Sequence, residues 1–339
     1  MNLGFEAHPE GGVIYFEFGI WSLGFGAMDL SVVVVTHNSS AYIQACLRSI
    51  LEQMGEVDHE VIIVDNASSD ETIRMIEQEF PRVTLIPNPL NLGFAGANNL
   101  GLRRAKGEFV LLMNPDTRWK RGDIKKALQF LVSRPDIGAL GCRLILEDGS
   151  WQKSHGNFPT LGKELKEAFY LPRLFPRWRC CQGMFAYRER NGKGPVDWVA
   201  GAFCLCRRDV VGEMGGFDER YFLYYEDIDL SNGIRGKGME IFYYPSIEIT
   251  HYQRMPSVYD FGESPYLYFD KHFGPSHAKA LRYVLLLKMI VRLMIFFPLT
   301  FLTGKEGFRK KLKTNYRTFK YHLFEAPGVL EKLRIAHRA

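Results

Sequence analysis

The sequence predicts an α/β fold built on a doubly wound, mostly parallel sheet. Short apolar runs alternate with segments of helical periodicity from residue 30 to about residue 250. The runs are rich in β-branched residues without polar interruptions, as in strands that are buried on both faces. Several runs end in clusters of Asn, Asp, Ser and Thr. The carboxyl ends of the strands of such a sheet line one crevice, and ligands bind there.

The predicted elements follow one another in regular order. Strands are predicted at residues 30–35, 61–64, 83–86, 109–113, 138–146, 196–205 and 240–244. Helices are predicted at residues 43–54, 73–80, 94–105, 124–132 and 230–237. Ser68 and Glu71 have capping-box spacing ahead of the second helix. Residues 151–195, with scattered aromatics, prolines and charges, are predicted as a long, partly helical excursion.

Composition bounds the class of protein. The chain has 339 residues, of which 46% are hydrophobic and 24% charged, enough for one large domain or two smaller ones. The net charge of +5 is too small to indicate nucleic-acid binding, and the basic residues are concentrated near the C-terminus. The six cysteines include no C-x-x-C pair, which favours a reducing, cytosolic setting without a zinc framework.

The first 27 residues differ from the rest. They are rich in glycine and aromatics, contain three glutamates and carry no Lys or Arg, so they do not resemble a signal peptide. They also contain no apolar run long enough to span a bilayer. The folded pattern begins abruptly at Met28, which is a candidate alternative start. We therefore expect residues 1–27 to lie outside the fold, and residues 28–275 to form the main domain.

The C-terminal region, residues 276–339, is predicted to be helical and basic. The stretch from residue 281 to 303 is strongly apolar, but it contains Arg282, Lys288 and Arg292 and an internal Pro298. Charges at those depths argue against a simple membrane span. Two interpretations stay open, a basic amphipathic helix in the membrane interface and a helix docked on the domain's own core. Further positive charge at residues 309–313 is suited to anionic lipid.

Four polar clusters follow predicted strands, at residues 36–38, 65–70, 91–99 and 114–116. In the last, Pro115 cannot donate to a sheet ladder, so the strand ends and Asp116 is held at its carboxyl end. A carboxylate there suits a divalent metal, and a metal there suits a diphosphate. Asp65 is a candidate acceptor for the N3–H of uracil or thymine, whereas Asp70 fits helix capping equally well. Glycine-rich dinucleotide and P-loop motifs are absent, so a nucleotide has to be held by metal and scattered polar groups.

These segments carry a resemblance to a known family. The segments are Val-Val-Val-Val-Thr-His-Asn (32–38), Val-Asp-Asn-Ala-Ser-Ser-Asp (64–70), Asn-Leu-Gly-Phe-Ala-Gly-Ala-Asn-Asn (91–99), Asn-Pro-Asp (114–116), Trp-Val-Ala-Gly-Ala-Phe-Cys-Leu-Cys-Arg-Arg (198–208) and Phe-Leu-Tyr-Tyr-Glu-Asp-Ile-Asp (222–229). In this order and spacing, from Leu30 to about His251, the chain resembles the family 2 inverting glycosyltransferases of the GT-A fold. The Asn-Pro-Asp segment looks like the metal motif of rhamnosyltransferase-like members.

The resemblance implies a set of site residues. The donor-binding set is Thr36, Asn38, Asp65, Asn66, Asn91, Gly93, Asn98, Asn114 and Asp116. The acceptor-side set is Trp198, Gly201 and Glu226. Asp227 matches the catalytic base, and Asp116 and His251 match the ligands of a divalent metal, Mg²⁺ or Mn²⁺. Two positions depart from the family pattern. Asn114 replaces the first Asp of the metal motif, and Gly233 stands where members often carry Arg, with Arg235 two residues further on.

The implied activity is transfer of a sugar, with inversion, from dTDP-rhamnose or a UDP-sugar to a saccharide acceptor. By analogy with the family, the acceptor is expected to be lipid-linked, an intermediate of bacterial surface polysaccharide met at the inner face of the cell membrane by a cytoplasmic, peripheral enzyme. No nucleic-acid partner is expected. Two alternatives are a sugar nucleotidyltransferase and a non-catalytic sugar-nucleotide-binding module. The first would require a basic glycine-rich loop, and residues 36–40 contain no Lys or Arg.

Overall fold

The computed structural model describes residues 28–185, 192–252 and 262–336. Residues 1–27, which we expect to be outside the fold, are not among the described residues. The strands are β1 Leu30–Thr36, β2 His59–Asn66, β3 Thr84–Asn88, β4 Phe109–Met113, β5 Thr117–Arg121, β6 Ile137–Ile145, β7 Trp151–Gln152, β8 His155–Gly156, β9 Gly194–Val196, β10 Trp198–Val199, β11 Phe203–Arg207 and β12 Glu240–His251.

The helices surround this sheet and extend beyond it at the C-terminus. They are α1 Ile43–Met54, α2 Thr72–Glu79, α3 Gly93–Arg104, α4 Ile124–Ser133, α5 Leu161–Ala168, α6 Leu171–Leu174, α7 Arg208–Glu213, α8 Glu226–Gly236, α9 Ser264–Phe273, α10 Pro275–Thr303, α11 Glu306–Lys320 and α12 Ala326–Ala336. A π-helical turn, Tyr321–Glu325, joins the last two.

The central sheet has the strand order β3-β2-β1-β4-β11-β6-β12-β5. The first four strands are parallel, β11 runs antiparallel to both of its neighbours, and β12 is parallel to β6. Every residue of β1 and of β4 is buried, as the unbroken apolar runs predicted. The predicted α/β class with a mostly parallel sheet is therefore confirmed. The antiparallel β11 joins the parallel strands β3, β2, β1 and β4 to the remaining strands β6, β12 and β5.

The strand predicted at 196–205 is wrong as a single element. The chain forms β10, leaves the strand at Ala200, turns at Gly201 and Ala202, and then forms β11. β10 pairs with β8 in a separate two-stranded sheet, whereas β11 lies in the central sheet between β4 and β6. The apolar residues on both sides of the turn are buried in one continuous core, so the sequence shows a single apolar run.

The edge strand β5 was missed, and β12 was predicted too short. In β5 Thr117 and Trp119 are buried, while the residues between and after them are exposed. This alternation is only five residues long and contains three charged residues, so the sequence does not show it as a strand. β12 continues past Pro245, where its pairing with β6 shifts register. Its last residue, His251, pairs with Thr117, the first residue of β5. This pairing places His251 beside Asp116, which precedes β5.

Helix α10 docks on the domain through its charged residues. Lys288 Nζ lies 2.8 Å from Glu164 Oε2 of α5, and both side chains are buried. Arg292 is also buried, with its guanidinium 5.3 Å from the ring centroid of Tyr170. The interfacial interpretation places these charges in lipid headgroups, but the structure turns them toward the protein.

The far end of α10 is apolar and exposed. Met294 is 69% exposed, Phe301 73% and Leu302 82%. Within the described residues α10 is the one helix long and apolar enough to cross a membrane, with a mean hydropathy of 2.1 over its most apolar window. The first part of α10 is therefore docked on the domain, and the last part presents an apolar surface.

The buried pair makes a prediction about stability. Lys288→Met should lower the free energy of unfolding by about 3–5 kcal/mol, because Glu164 is left buried without its partner. Chemical denaturation of the full chain measures this, with Lys313→Met, an exposed lysine on α11, as the control that changes little. Equal midpoints for the two variants would show that α10 is not held by this pair.

Candidate active site

Asp65 organises the loop at the end of β2. Its Oδ1 accepts hydrogen bonds from Thr36 Oγ1 at 2.8 Å and Ser68 Oγ at 2.5 Å, and its Oδ2 accepts from the Ser68 amide at 2.9 Å. The side chain is fully buried. The Ser68 hydroxyl therefore donates to Asp65, and α2 has no side-chain N-cap, so the predicted capping box is wrong. The predicted contact of Asp65 with a nucleotide base stays a prediction.

The loops after β1 and β2 are tied to each other. Asn38, at φ +50°, donates its amide to Ser68 Oγ at 2.8 Å, and its Oδ1 accepts from the Ser69 amide at 2.8 Å. Asp70 accepts from the amides of Ser40 and Thr72, both at 3.1 Å, which supports the structural alternative for Asp70. These bonds fix the crevice wall where Thr36 and Asn38 were predicted to meet the donor.

Asn66 holds the third polar cluster in place. Its Nδ2 donates to Asn91 Oδ1 at 2.7 Å and to the Gly93 carbonyl at 3.1 Å, while its Oδ1 accepts from the Leu92 amide at 2.9 Å. Gly93 has φ +71°, and the next amide, of Phe94, donates to the Phe222 carbonyl at 2.7 Å. The cluster is thus docked on the loop that precedes α8. Of the predicted donor residues, Asn98 is buried and bonded within α3 to the Phe94 carbonyl.

Asp227 stands at the start of α8. The two residues before this helix, Tyr224 and Tyr225, both adopt left-handed φ values, 67° and 69°, which cost about 1–3 kcal/mol each in a non-glycine residue. Asp227 Oδ2 accepts from the Gly201 amide at 3.1 Å, and Oδ1 accepts from the Ile228 amide at 2.8 Å. The turn that splits β10 from β11 therefore positions the predicted base.

The two adjacent carboxyl groups are electrostatically different. Burial raises the pKa of Asp227 to about 6, although hydrogen bonds from backbone amides, including those of Gly201 and Ile228, act in the opposite direction. Burial and the nearby charge of Asp227 raise the pKa of Glu226 well above its usual range. Glu226 Oε2 is buried and has no hydrogen-bond partner in the described part of the chain. Glu226 therefore keeps its proton to a higher pH than Asp227, and Asp227 is the carboxyl group that ionises first and can accept a proton.

Asp116 and His251 meet where β5 and β12 pair. His251 Nε2 lies 3.2 Å from Asp116 Oδ2, and both side chains are buried. The other ring nitrogen, Nδ1, lies 2.9 Å from Gln152 Oε1. Because an amide oxygen only accepts, Nδ1 carries a proton, and Nε2 is the ring atom that faces the Asp116 carboxylate. A proton or a metal ion then has to lie between these two acceptor atoms.

The residues present fit a divalent metal. Two ligands at about 2.1 Å and at right angles around an octahedral ion are about 3.0 Å apart, close to the observed separation. Histidine ligands donate their second ring N–H to an oxygen acceptor, as His251 does to Gln152. Asn114 Oδ1 adds a buried oxygen without a partner among the described residues. The described residues contain no group of three or more His, Cys, Asp or Glu that could hold a metal.

A short backbone path leads from Asn114, two residues before Asp116, to Asp227. The Asn114 amide donates to the Ala202 carbonyl at 3.3 Å. The neighbouring residue, Gly201, donates to Asp227. The predicted metal ligand and the predicted base thus lie on the two sides of one turn.

Sequence reasoning missed several supporting residues. Asn99 Nδ2 donates to the Phe217 carbonyl at 2.9 Å and its Oδ1 accepts from the Phe217 amide at 2.8 Å, which fixes the segment that leads to α8. Gln152 orients His251. Trp198, predicted on the acceptor side, is fully buried and donates Nε1–H to the Asn157 carbonyl at 3.1 Å. Trp198 is the first residue of β10 and pairs with Gly156 of β8.

Comparison with known proteins identifies the family. The model of Glycosyl transferase family 2 matches residues 31–213, more than half of the chain. The chain belongs to glycosyl transferase family 2. The predicted family 2 glycosyltransferase is therefore confirmed over the nucleotidyltransferase alternative.

Two curated relatives of this glycosyltransferase carry rhamnosyltransferase names. An N-acetylglucosaminyl-diphospho-decaprenol L-rhamnosyltransferase of Mycobacterium tuberculosis is 34% identical over 238 residues, 66% of this chain and 76% of the relative. The rhamnosyltransferase WbbL of Escherichia coli is 25% identical over 237 residues, 65% of this chain and 82% of the relative.

Solved structures share the fold. The mannosyltransferase PcManGT from Pyrobaculum calidifontis, in complex with GDP-Man and Mn²⁺, has a TM-score of 0.54 at 18% identity and covers 88% of each chain. GalNAc-T7 with UDP, GalNAc and Mn²⁺ also has a TM-score of 0.54, at 13% identity, over 88% of this chain and 56% of that one. Both likenesses support the GT-A architecture.

Gly93 gives a prediction with a matched control. A Cβ at Gly93 would lie 2.3 Å from the Phe222 carbonyl oxygen, whereas a Cβ at Gly149, which has a similar φ of +78°, meets nothing within 4 Å. Each alanine substitution costs about 1–2 kcal/mol for the left-handed backbone. Gly93→Ala should cost clearly more, because the loop before α8 has to move, and it should also lower turnover. Equal unfolding free energies for the two variants would contradict this close approach.

Proposed function

We propose that the protein is an inverting glycosyltransferase that moves a sugar from dTDP-rhamnose or a UDP-sugar to a lipid-linked saccharide in surface polysaccharide synthesis. The observation that carries this proposal is the position and the pKa of Asp227. Its carboxylate accepts a hydrogen bond from the Gly201 amide, one residue from the carbonyl that contacts Asn114, and burial raises its pKa to about 6. Relatives named as rhamnosyltransferases, one of which takes a diphospho-decaprenol acceptor by its name, support the substrate class.

In this mechanism Asp227 accepts the proton of the acceptor hydroxyl as that oxygen attacks the anomeric carbon. The bond from the anomeric carbon to the nucleoside diphosphate breaks on the opposite face, so one displacement inverts the configuration. A positioned base of this kind contributes about 10²–10⁴-fold. Glu226, whose pKa is raised by burial and by the charge of Asp227, resists adding a second negative charge beside the base. These roles of Asp227 and Glu226 favour an enzyme over a non-catalytic binding module.

Asp116 and His251 are the residues that would hold a divalent metal, Mg²⁺ or Mn²⁺. A metal bound there supplies positive charge to the leaving diphosphate. Gln152 keeps the His251 ring in the required orientation and tautomer. The nucleoside would lie against the crevice wall formed by Thr36, Asn38 and Asp65. The cluster that contains Asn91 and Gly93 lies between this wall and α8.

The proposed location is the inner face of the cell membrane. The exposed apolar end of α10 and the basic residues of α11 suit a protein that touches a bilayer without crossing it. The saccharide acceptor would then be reached from the cytoplasm while its lipid stays in the membrane. Nucleic acid has no part in this proposal.

The first functional prediction concerns the base. The wild type should transfer rhamnose from dTDP-rhamnose to an N-acetylglucosaminyl-diphospho-lipid, and Asp227→Asn should lower kcat at least about a hundredfold, since asparagine cannot accept the proton. Donor affinity measured by calorimetry should change little. Below pH 6 the wild-type kcat/KM should fall about tenfold per pH unit, because Asp227 becomes protonated.

Glu226→Gln is the matched control for this base. It removes an acid that is already neutral, so it should lower kcat much less than Asp227→Asn. A dead Glu226→Gln variant, or an Asp227→Asn variant with near-normal turnover, would mean that the base is the other carboxyl. Failure of every nucleotide sugar in a panel, read as release of nucleoside diphosphate, would overturn the proposed activity itself.

The second functional prediction concerns the metal. Asp116→Ala should abolish turnover and the binding of Mn²⁺ in the presence of the nucleoside diphosphate, measured by electron paramagnetic resonance. Gln152→Leu should weaken Mn²⁺ binding about 10–100-fold, because His251 loses the acceptor that orients it. Full activity of the wild type in excess chelator would contradict a metal-dependent reaction.

A further inference from the structure

We propose that the cavity between α6, α10 and α11 binds the diphosphate group of a lipid-linked acceptor. The cavity has a volume of about 850 Å³. Its lining includes five cationic side chains, Arg173, Arg292, Lys310, Lys311 and Arg317. The described residues that line it include no Asp or Glu. This inference rests on the proposed function, and it adds a site for the lipid diphosphate of the acceptor beside the site of the sugar donor.

The cations are assembled by packing. The guanidinium groups of Arg173 and Arg292 both lie beside the Tyr170 ring, 5.5 and 5.3 Å from its centroid. Lys311 Nζ lies 5.5 Å from the Phe296 centroid. On α11, Lys310, Lys311 and Arg317 make no ion pair within the described part of the chain. The positive charges of these three α11 side chains repel one another, and a bound polyanion removes that cost.

Two uncharged polar groups also point to a ligand. Asn315 is buried on the cavity wall, and its Oδ1 has no hydrogen-bond partner among the described residues. The same is true of Tyr321 Oη, also on the wall. An unsatisfied buried polar atom costs about 1–3 kcal/mol. A ligand with phosphate oxygens and hydroxyl groups satisfies both, because Tyr321 donates to an oxygen and Asn315 accepts from a hydroxyl.

The cavity adjoins the apolar end of α10. Phe296 lines it, and the following turn carries Phe297 and Phe301, whose rings pack at 4.9 Å and are largely exposed. The ligand that matches both features has a polyanionic head and a long hydrocarbon chain. A diphosphate suits five cations better than the single charge of a common phospholipid. The buried position of Arg292 also favours a specific head group over a membrane surface.

The cavity lies on the side of the catalytic helix. A second, small cavity shares Gly262 and Tyr321 with it and is also lined by Tyr225, the residue before α8. Lys288 and Glu164, the pair that docks α10, line the same small cavity. A lipid diphosphate in the large cavity is therefore next to the elements that support Asp227.

The test is a binding experiment with the full chain in metal-free buffer, so that the Asp116–His251 pair contributes little. The probe is farnesyl diphosphate, which has the diphosphate and a short isoprenoid chain but no sugar. Lys310→Gln combined with Arg317→Gln should weaken its binding at least tenfold by calorimetry. Arg309→Gln combined with Lys313→Gln, which removes the same charges from the same helix outside the cavity, should leave the Kd within about twofold.

A second arm separates the two sources of lipid phosphate. Cosedimentation with phosphatidylglycerol vesicles should decrease to a similar extent in both double variants, because surface attraction depends on total charge. Equal weakening of farnesyl diphosphate binding in both would overturn the site and indicate only surface electrostatics. Since the probe contains no sugar and no donor is present, the result does not depend on turnover. An enzyme that glycosylates the lipid acceptor with unchanged KM in the cavity variant would keep the proposed function and lose this site.

Discussion

The hydrogen bond from the Gly201 amide to Asp227 is the contact on which the rest of the site depends. It exists because β11 enters the sheet antiparallel, between β4 and β6, and so places its preceding turn at the carboxyl end of β4. The same turn receives the Asn114 amide. The antiparallel direction of β11 thus brings Asp116, which follows β4, to the same crevice as Asp227 of α8.

The sequence predicted the parallel half well because its signals are local. The apolar runs of β1, β2 and β4 and the polar clusters after them can be seen without knowledge of the fold. The pairing of Asp116 with His251 has no local signal, and only the family resemblance suggested it. Asn99 and Gln152 were missed since each acts on a segment about a hundred residues away. The split between β10 and β11 was hidden by burial on both sides of the turn.

The C-terminal region shows a different limit of sequence reasoning. A charge in an apolar helix has two opposite explanations, an exposed position at a membrane surface or a buried partner in the protein. Hydropathy cannot distinguish them, because the partner of Lys288 is Glu164, far away in the chain. The sequence likewise cannot show which of Glu226 and Asp227 has the higher pKa, because the two are adjacent and chemically similar. Only the packing around each carboxyl decides which one keeps its proton.

The docking of α10 by Lys288 also sets a length. An α-helix rises 1.5 Å per residue, so Leu302 projects about 21 Å beyond the anchored Lys288 along the helix axis. In a protein that contacts a bilayer through this exposed end, the helix is a rigid spacer that fixes the height of the catalytic crevice above the membrane surface. An acceptor whose lipid stays in that bilayer then meets the crevice at one fixed distance from the head groups.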